Sequence, residues 1–325
     1  MQEKLLQRFL RYVAVPSQSN AANANVPSSE GQRKLAELLK QDLAELGLVD
    51  LEISEYSVLT GKLPAYLPEG CTKEVPAVGW CAHLDTIDIN MSPEIHPQVV
   101  KNYQGGDVCL NKEKDIWIRT AEHPELEKYV GEDIVFTDGT SVLGADNKAA
   151  IANIMVALET IVNEKRYHGD IYVAFVPDEE IGLRGSKKMD FSKFPVKFAY
   201  TIDCCELGEV VYQTFNAGTA IVKIKGVSAH PMSAKGVLIN PTLLAVDLVN
   251  MFDRTQTPEC TEGTEGYIWV KSIVSNDTYA TVTLDIRDHN KKRYEERKAE
   301  IAANAEKLQA MYPRAEVTCT MSDTY

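Results

Sequence analysis

Three apolar runs in this chain each end in residues that can hold a cation, and that recurrence limits the folds open to it. "VPAVGWCAHLDTID" runs into His83 and Asp85, "IYVAFVPDEE" into Asp178, Glu179 and Glu180, and "FAYTIDCCE" into Asp203. Each run is rich in β-branched and aromatic residues and reads as a strand entering a core. Helical patterns separate the strands, so the alternation predicts an α/β unit around a mainly parallel sheet with helices on both faces. In such sheets ligands gather beyond the carboxyl ends of the strands. An acidic triplet such as Asp178 to Glu180, standing alone, is ordinarily a solvated turn. Here three strand ends share the pattern, and positive charge held among them explains why the carboxylates are gathered.

The remaining pattern fits around these strands. Residues 28–47 predict a helix with a capping box at Ser29 and Gln32, leucines at 35, 38, 39, 43 and 46, and Gly47 as its C-terminal cap. The stretch from about Asn90 to Asp138 has weak periodicity and many polar residues, which reads as a long irregular binding loop. A helix, "NKAAIANIMVALETIVNEK", follows Asp146. After about Thr214 the order becomes β-α-β-β-α-β, the pattern of a smaller ferredoxin-like α+β domain. The boundary is placed near 213, giving domains 1–213 and 214–325.

Composition narrows the partners. At 325 residues with 44% hydrophobic content the chain can build two cores. Its formal charge of −13 argues against nucleic acid or an anionic membrane as the main partner. No apolar run reaches the ~18 residues of a membrane span, and the first helical stretch, "EKLLQRFLRYVAV", is amphipathic rather than signal-like. The seven cysteines are odd in number, none forms C-x-x-C, and Cys204 and Cys205 are adjacent, so a reduced cytoplasmic location is expected.

His83 and Asp85 are two apart, so on an extended backbone they point to the same side. A metal-bound imidazole usually gives its other N–H to a carboxylate, and H-x-D at a strand end supplies that pair. An isolated histidine would read as a satisfied core residue; beside three acidic strand ends His83 reads as a ligand, with Asp85 behind it. Asp146, at the mouth of a helix, suits an N-cap and equally a carboxylate bridging two cations. With Glu180 and Asp203 the donors are one nitrogen and several carboxylate oxygens, a set suited to zinc, cobalt or manganese. Glu179, next to a ligand and pointing elsewhere, is either a general base for a metal-activated water or one more solvated acid.

In their order and separation "AHLDT", "GADNKAA", "PDEEIG" and "YTIDC" resemble the motifs of the co-catalytic zinc metallopeptidase family that includes aminoacylases and glutamate carboxypeptidases. "FTDGTSVLGADNKAAIANIM", "HPELEKY", "VSAHPMSAKGVLINP" and "DIRDHN" resemble its tripeptide aminopeptidase branch more closely, and the likeness runs through nearly the whole chain. The resemblance implies two Zn²⁺, with His83, Asp146 and Asp203 around one and Asp146 and Glu180 around the other. It implies Glu179 as base and Asp85 as the group orienting His83. The smaller domain becomes a lid and the route to a homodimer; its His230 and Arg287 match substrate-holding positions, and Asn240 matches more loosely. Arg287 offers a planar fork for a terminal carboxylate, the alternative being a surface charge paired with Asp288. The implied activity is release of the N-terminal residue from tripeptides, on short peptides with free termini.

Two departures from that pattern stand out. Asn147 follows the bridging aspartate where the branch commonly has a second Asp. The family also draws a last histidine ligand from a segment beyond the small domain, and the sequence given stops at Tyr325. His289 and His230 belong to other motifs. The expectation is therefore a truncated form whose second metal site is short of one ligand, with an inactive peptide-binding relative as the alternative reading.

Overall fold

The ligand-bearing runs become strands of one sheet in the computed structural model, which describes residues 1–203 and 207–325. Cys204 and Cys205, part of the argument for a reduced compartment, lie outside the described residues. The five described cysteines, Cys71, Cys81, Cys109, Cys260 and Cys319, are free. The chain divides into two compact units, Met1–Gly208 and Glu209–Tyr325.

The first unit opens with α1 (Gln2–Val13) and α2 (Glu30–Glu45), followed by the hairpin β1 (Val49–Ile53) and β2 (Leu59–Leu63), then β3 (Val78–His83). Four short strands come next: β4 (Pro97–Val100), β5 (Val108–Asn111), β6 (Ile116–Ile118) and β7 (Ile134–Thr137). Helix α3 (Ala145–Asn163), β8 (Ile171–Val176) and β9 (Phe198–Thr201) complete it. The main sheet has the order β1-β2-β8-β3-β9. Its ligand-bearing strands β8, β3 and β9 run parallel, while β1–β2 and β2–β8 are antiparallel, so the added hairpin makes the sheet mixed.

Helix α2 shows how sequence pattern becomes packing. Leu35, Leu39 and Leu43 recur at helical spacing and are wholly buried, so cutting any one to alanine removes ~2–5 kcal/mol. The helix closes as expected on Gly47, at φ +84°, whose N–H reaches Ala44 O while Leu48 N reaches Leu43 O, at 3.0 and 3.1 Å. Its start differs from expectation. Ser29 is the N-cap residue but its side chain makes no capping bond. Gln32 donates instead to Asp178 at 2.7 Å, because a buried carboxylate is a stronger acceptor than anything at the helix mouth.

The segment expected to be an irregular loop is ordered. β4 pairs with β7 and β5 with β6, both antiparallel, around a small core of Tyr103, Val108, Leu110, Leu126 and Phe136. Strands of three or four residues are too short to show alternation in sequence.

The second unit contains β10 (Asn216–Lys225), α4 (Pro241–Val249), β11 (Tyr267–Ser275), β12 (Tyr279–Asp288), α5 (Lys291–Met311) and β13 (Glu316–Asp323). The sheet order β11-β12-β10-β13, with every neighbouring pair antiparallel, is the ferredoxin-like arrangement. Val222, Ile224, Leu248, Val282, Leu284, Ile301 and Leu308 fill its core. Among the described residues no helix is long and apolar enough to cross a membrane.

Candidate metal centre

Parallel register brings the strand ends level. His83 closes β3 opposite Val176, the last residue of β8, and Cys81 lies opposite Thr201 at the end of β9. The ladder continues briefly beyond, through Leu84 N to Val176 O at 2.8 Å and Ile202 N to Cys81 O at 3.1 Å. Asp85, Glu179, Glu180 and Asp203 therefore emerge at one edge. Asp146 arrives from the turn before α3, a helix that packs on β3. That turn bends at Gly144, at φ +70°, where an added Cβ would lie 2.9 Å from Ile95 Cδ1. Asp146 and Asn147 both have non-helical backbones, a kink that parts the regular run of α3 from the turn at Gly144. A cis peptide joins Asp146 to Asn147.

His83 is the hub. Its Nε2 lies 2.8 Å from Asp146 Oδ1, 3.8 Å from Asp203 Oδ1 and 3.9 Å from Glu179 Oε2. Two trios of ligand-type atoms share it, each within 4.8 Å: His83 with Asp146 and Asp203, and His83 with Glu179 and Glu180. Asp85 is wholly buried and in neither trio. Its Oδ1 stands 3.3 Å from His83 Nδ1, off the angle of a hydrogen bond. Its two oxygens accept the backbone N–H groups of Glu179 and Glu180, at 2.9 and 3.1 Å.

The acidic triplet separates by role. Asp178 is wholly buried, at φ +54°, and turns inward to Ser28 and Gln32. Glu179 and Glu180 turn to the His83 edge. This answers how three successive carboxylates share one strand end: one is hydrogen-bonded by neutral donors in the interior, and two face a histidine.

The electrostatics follow from the crowding. Burial alone would lower the His83 pKa, but its contacts with Asp146 and Asp85 outweigh that and carry it up to about 10. Burial, then the charge of Asp146, pushes Glu180 up to about 7. Glu179 and Asp203 are also raised by burial; His83 opposes the rise and the neighbouring carboxylates add to it. A site that raises several acids at once favours a bound cation. The donor set, one imidazole nitrogen with carboxylate oxygens, and the carboxylate beside the second imidazole nitrogen both fit a zinc-like divalent ion.

Two groups near this edge have parts that the sequence reading did not give them. Lys148 is wholly buried, donates to Val15 O at 2.7 Å, and is lowered to about 7 by burial. Gln32 sits on the leucine face of α2, and a polar residue on an apolar stripe is a signal of a buried amide with partners elsewhere.

The three residues expected to hold substrate lie in the second unit. Arg287 has its guanidinium 5.0 Å from the Phe215 ring centre, and Asp288 bonds Arg297 at 3.0 Å. His230 Nδ1 accepts from Met232 N at 3.3 Å, and Asn240 caps α4 by accepting from Thr242 N at 3.0 Å.

Comparison with known proteins first marks the class. Residues 212–313 match a peptidase dimerisation domain, and residues 120–238 match the M42 glutamyl aminopeptidase family. A two-unit α/β metallopeptidase is what fold, cluster and matches define together. A peptidase T-like protein of Rhizobium meliloti is 51% identical over 325 residues, 100% of this chain and 78% of that protein. Peptidase T of Bacillus licheniformis is 40% identical over 326 residues, again 100% and 78%. The fold is similar to the crystal structure of a tripeptidase from Staphylococcus aureus, with a TM-score of 0.74 at 20% identity, covering 100% of this chain and 76% of that one. The chain belongs to the peptidase T family.

Proposed function

We propose that this chain is a dinuclear zinc aminopeptidase that releases the N-terminal residue of short peptides, tripeptides foremost. The observation that carries the proposal is the trio His83, Asp146 and Asp203 at the carboxyl edge of the parallel strands, with Glu179 and Glu180 gathered about the same imidazole. His83, Asp146 and Asp203 would hold one ion, and Asp146 and Glu180 the other; cobalt or manganese suits the same donors. When bound, such ions lower the pKa of a water and stabilise the oxyanion of the attacked carbonyl.

The chain's own groups do the rest. Glu179 takes a proton from the attacking water and returns it to the leaving amine, a task suited to a carboxylate raised by burial. Asp85 keeps the His83 ring turned so that Nε2 faces the carboxylates. Arg287 and His230, with a lesser part for Asn240, take the carboxylate end of the peptide. The family's dimerisation domain supports a homodimer through the second unit. There β11, an edge strand, exposes Trp269, Ile273 and Val274, and α4 exposes Leu243 and Val246.

The test is Glu179→Ala assayed on a tripeptide with zinc bound. Turnover should fall by about 10²–10⁴-fold while zinc per chain stays that of the parent. Parent-like turnover, or loss of zinc with the side chain, would reassign the base.

A further inference from the structure

We infer that Ser28 and Gln32 are positioning residues for the reaction, acting through the buried carboxylate of Asp178 to fix the turn that carries Glu179 and Glu180. The inference rests on the reading of Glu179 as base and Glu180 as ligand.

Asp178 is inside the protein, and among the described residues no cationic side chain forms an ion pair with it. Its oxygens accept from Ser28 N at 2.7 Å, Ser28 Oγ at 2.5 Å and Gln32 Nε2 at 2.7 Å. Its own N–H donates back to Gln32 Oε1 at 2.9 Å. Gln32 thus spans the Asp178 side chain and backbone with both ends of its amide, which fixes the rotation of that residue and not merely its location. One peptide further on, the N–H groups of Glu179 and Glu180 are held by Asp85. The turn is therefore gripped from two sides, by the start of α2 and by the end of β3.

The grip has firm backing. Ser28 Oγ also accepts from Asn20 N at 2.8 Å, and Ser28 O accepts from Asn23 Nδ2 at 2.8 Å. Arg184, whose N–H bonds Asp178 O at 2.9 Å, reaches Asn23 O with its guanidinium at 2.6 Å. Gly31 brings α2 so close to Pro16 that a Cβ there would meet Pro16 O at 1.6 Å, so the helix start is packed tightly against that segment. Burying an ionised carboxylate is costly unless its oxygens are bonded. The chain keeps Asp178 buried with three donors on its oxygens, where an apolar residue would fill the space. What the carboxylate adds is direction: hydrogen bonds to charged groups are short and angular, and a small displacement of a catalytic group costs rate steeply.

The experiment compares Ser28→Ala, Ser28→Thr and Gln32→Met with the parent, in the zinc-loaded protein and by zinc titration against a chromogenic chelator. Ser28→Ala and Gln32→Met should each lower kcat and zinc affinity by about 10–100-fold, with KM little changed. Ser28→Thr, which keeps the hydroxyl, should recover most of both. Parent-like kcat and zinc affinity in the first two variants would overturn the inference. So would a lowered melting temperature with kcat and zinc affinity intact, or failure of the threonine variant to recover either. Glu179→Gln runs alongside: if it keeps parental turnover, the reading of the base fails, whereas an inactive Glu179→Gln beside parent-like Ser28→Ala and Gln32→Met removes the positioning role alone.

Discussion

Asp85 binds the backbone of Glu179, with 2.9 Å between its Oδ1 and the amide nitrogen, while the same oxygen stands 3.3 Å from His83 Nδ1. One carboxylate thus holds the backbone of the candidate base and lies beside the ring of the candidate ligand. Asp85→Asn keeps the shape but loses the charge and one of the two acceptors; kcat and zinc affinity are expected to drop about 10–100-fold. Asp85→Ala strands both N–H groups where the asparagine variant strands one, at ~1–3 kcal/mol each, so its denaturation midpoint should fall below that of the asparagine variant. Equal midpoints for the two would mean that the backbone bonds contribute little.

Proton linkage gives a second prediction, for protein stripped by a chelator. His83, carried from 6.5 to about 10, holds its proton more tightly folded than unfolded. That contribution is complete below about pH 6.5 and is lost as pH rises through about 10. Glu180, carried from 4.5 to about 7, has the same sign: its contribution is complete below about pH 4.5 and is lost as pH rises through about 7. The melting temperature of the stripped protein should therefore fall as pH is raised from about 5 to 10. Zinc needs deprotonated ligands, so the stabilisation it adds should widen over the same window. A zinc increment that stays constant with pH would contradict the proposed ligand set.

Arg287 supplies a substrate test. If its guanidinium takes the terminal carboxylate, amidating a tripeptide should raise KM about 10-fold or more, the scale of a lost charge-assisted bond. Arg287→Ala should raise KM for the free acid similarly and become indifferent to the amide. Indifference in the parent enzyme would leave Arg287 as a residue that merely stacks on Phe215.

Assembly can be tested at the edge strand. Val274 is 63% exposed on β11, and Val274→Arg places a charge where a second copy would pack. A dimer seen by sedimentation should shift to monomer, by a factor of about 10 or more in the association constant. An unchanged sedimentation coefficient would move the interface elsewhere.

Much of this was readable from the sequence because the decisive signals were local. His83, Asp85, Glu179, Glu180 and Asp203 each follow an apolar run, and parallel strands align whatever follows their ends. Asp178 was not readable: in sequence it is one of three like carboxylates, and what separates it is a hydroxyl and an amide about 150 positions away. The capping box failed for the same reason, since Gln32 finds a distant carboxylate that no local pattern announces. The sheet's antiparallel hairpin lay in strands of five residues with little alternation in exposure.

The miniature core around Tyr103, Leu110 and Phe136 has a consequence of its own. Five buried side chains cannot match the resistance to opening of the main sheet, so amides between Pro97 and Thr137 should exchange with solvent through local openings that leave β3 and β8 closed. Such a segment should tolerate changes of length and surface at little cost to the main sheet. The turn at Lys112–Asp115, held mainly by the Asn111 side chain, is the natural place to splice in new sequence without disturbing the edge that carries His83.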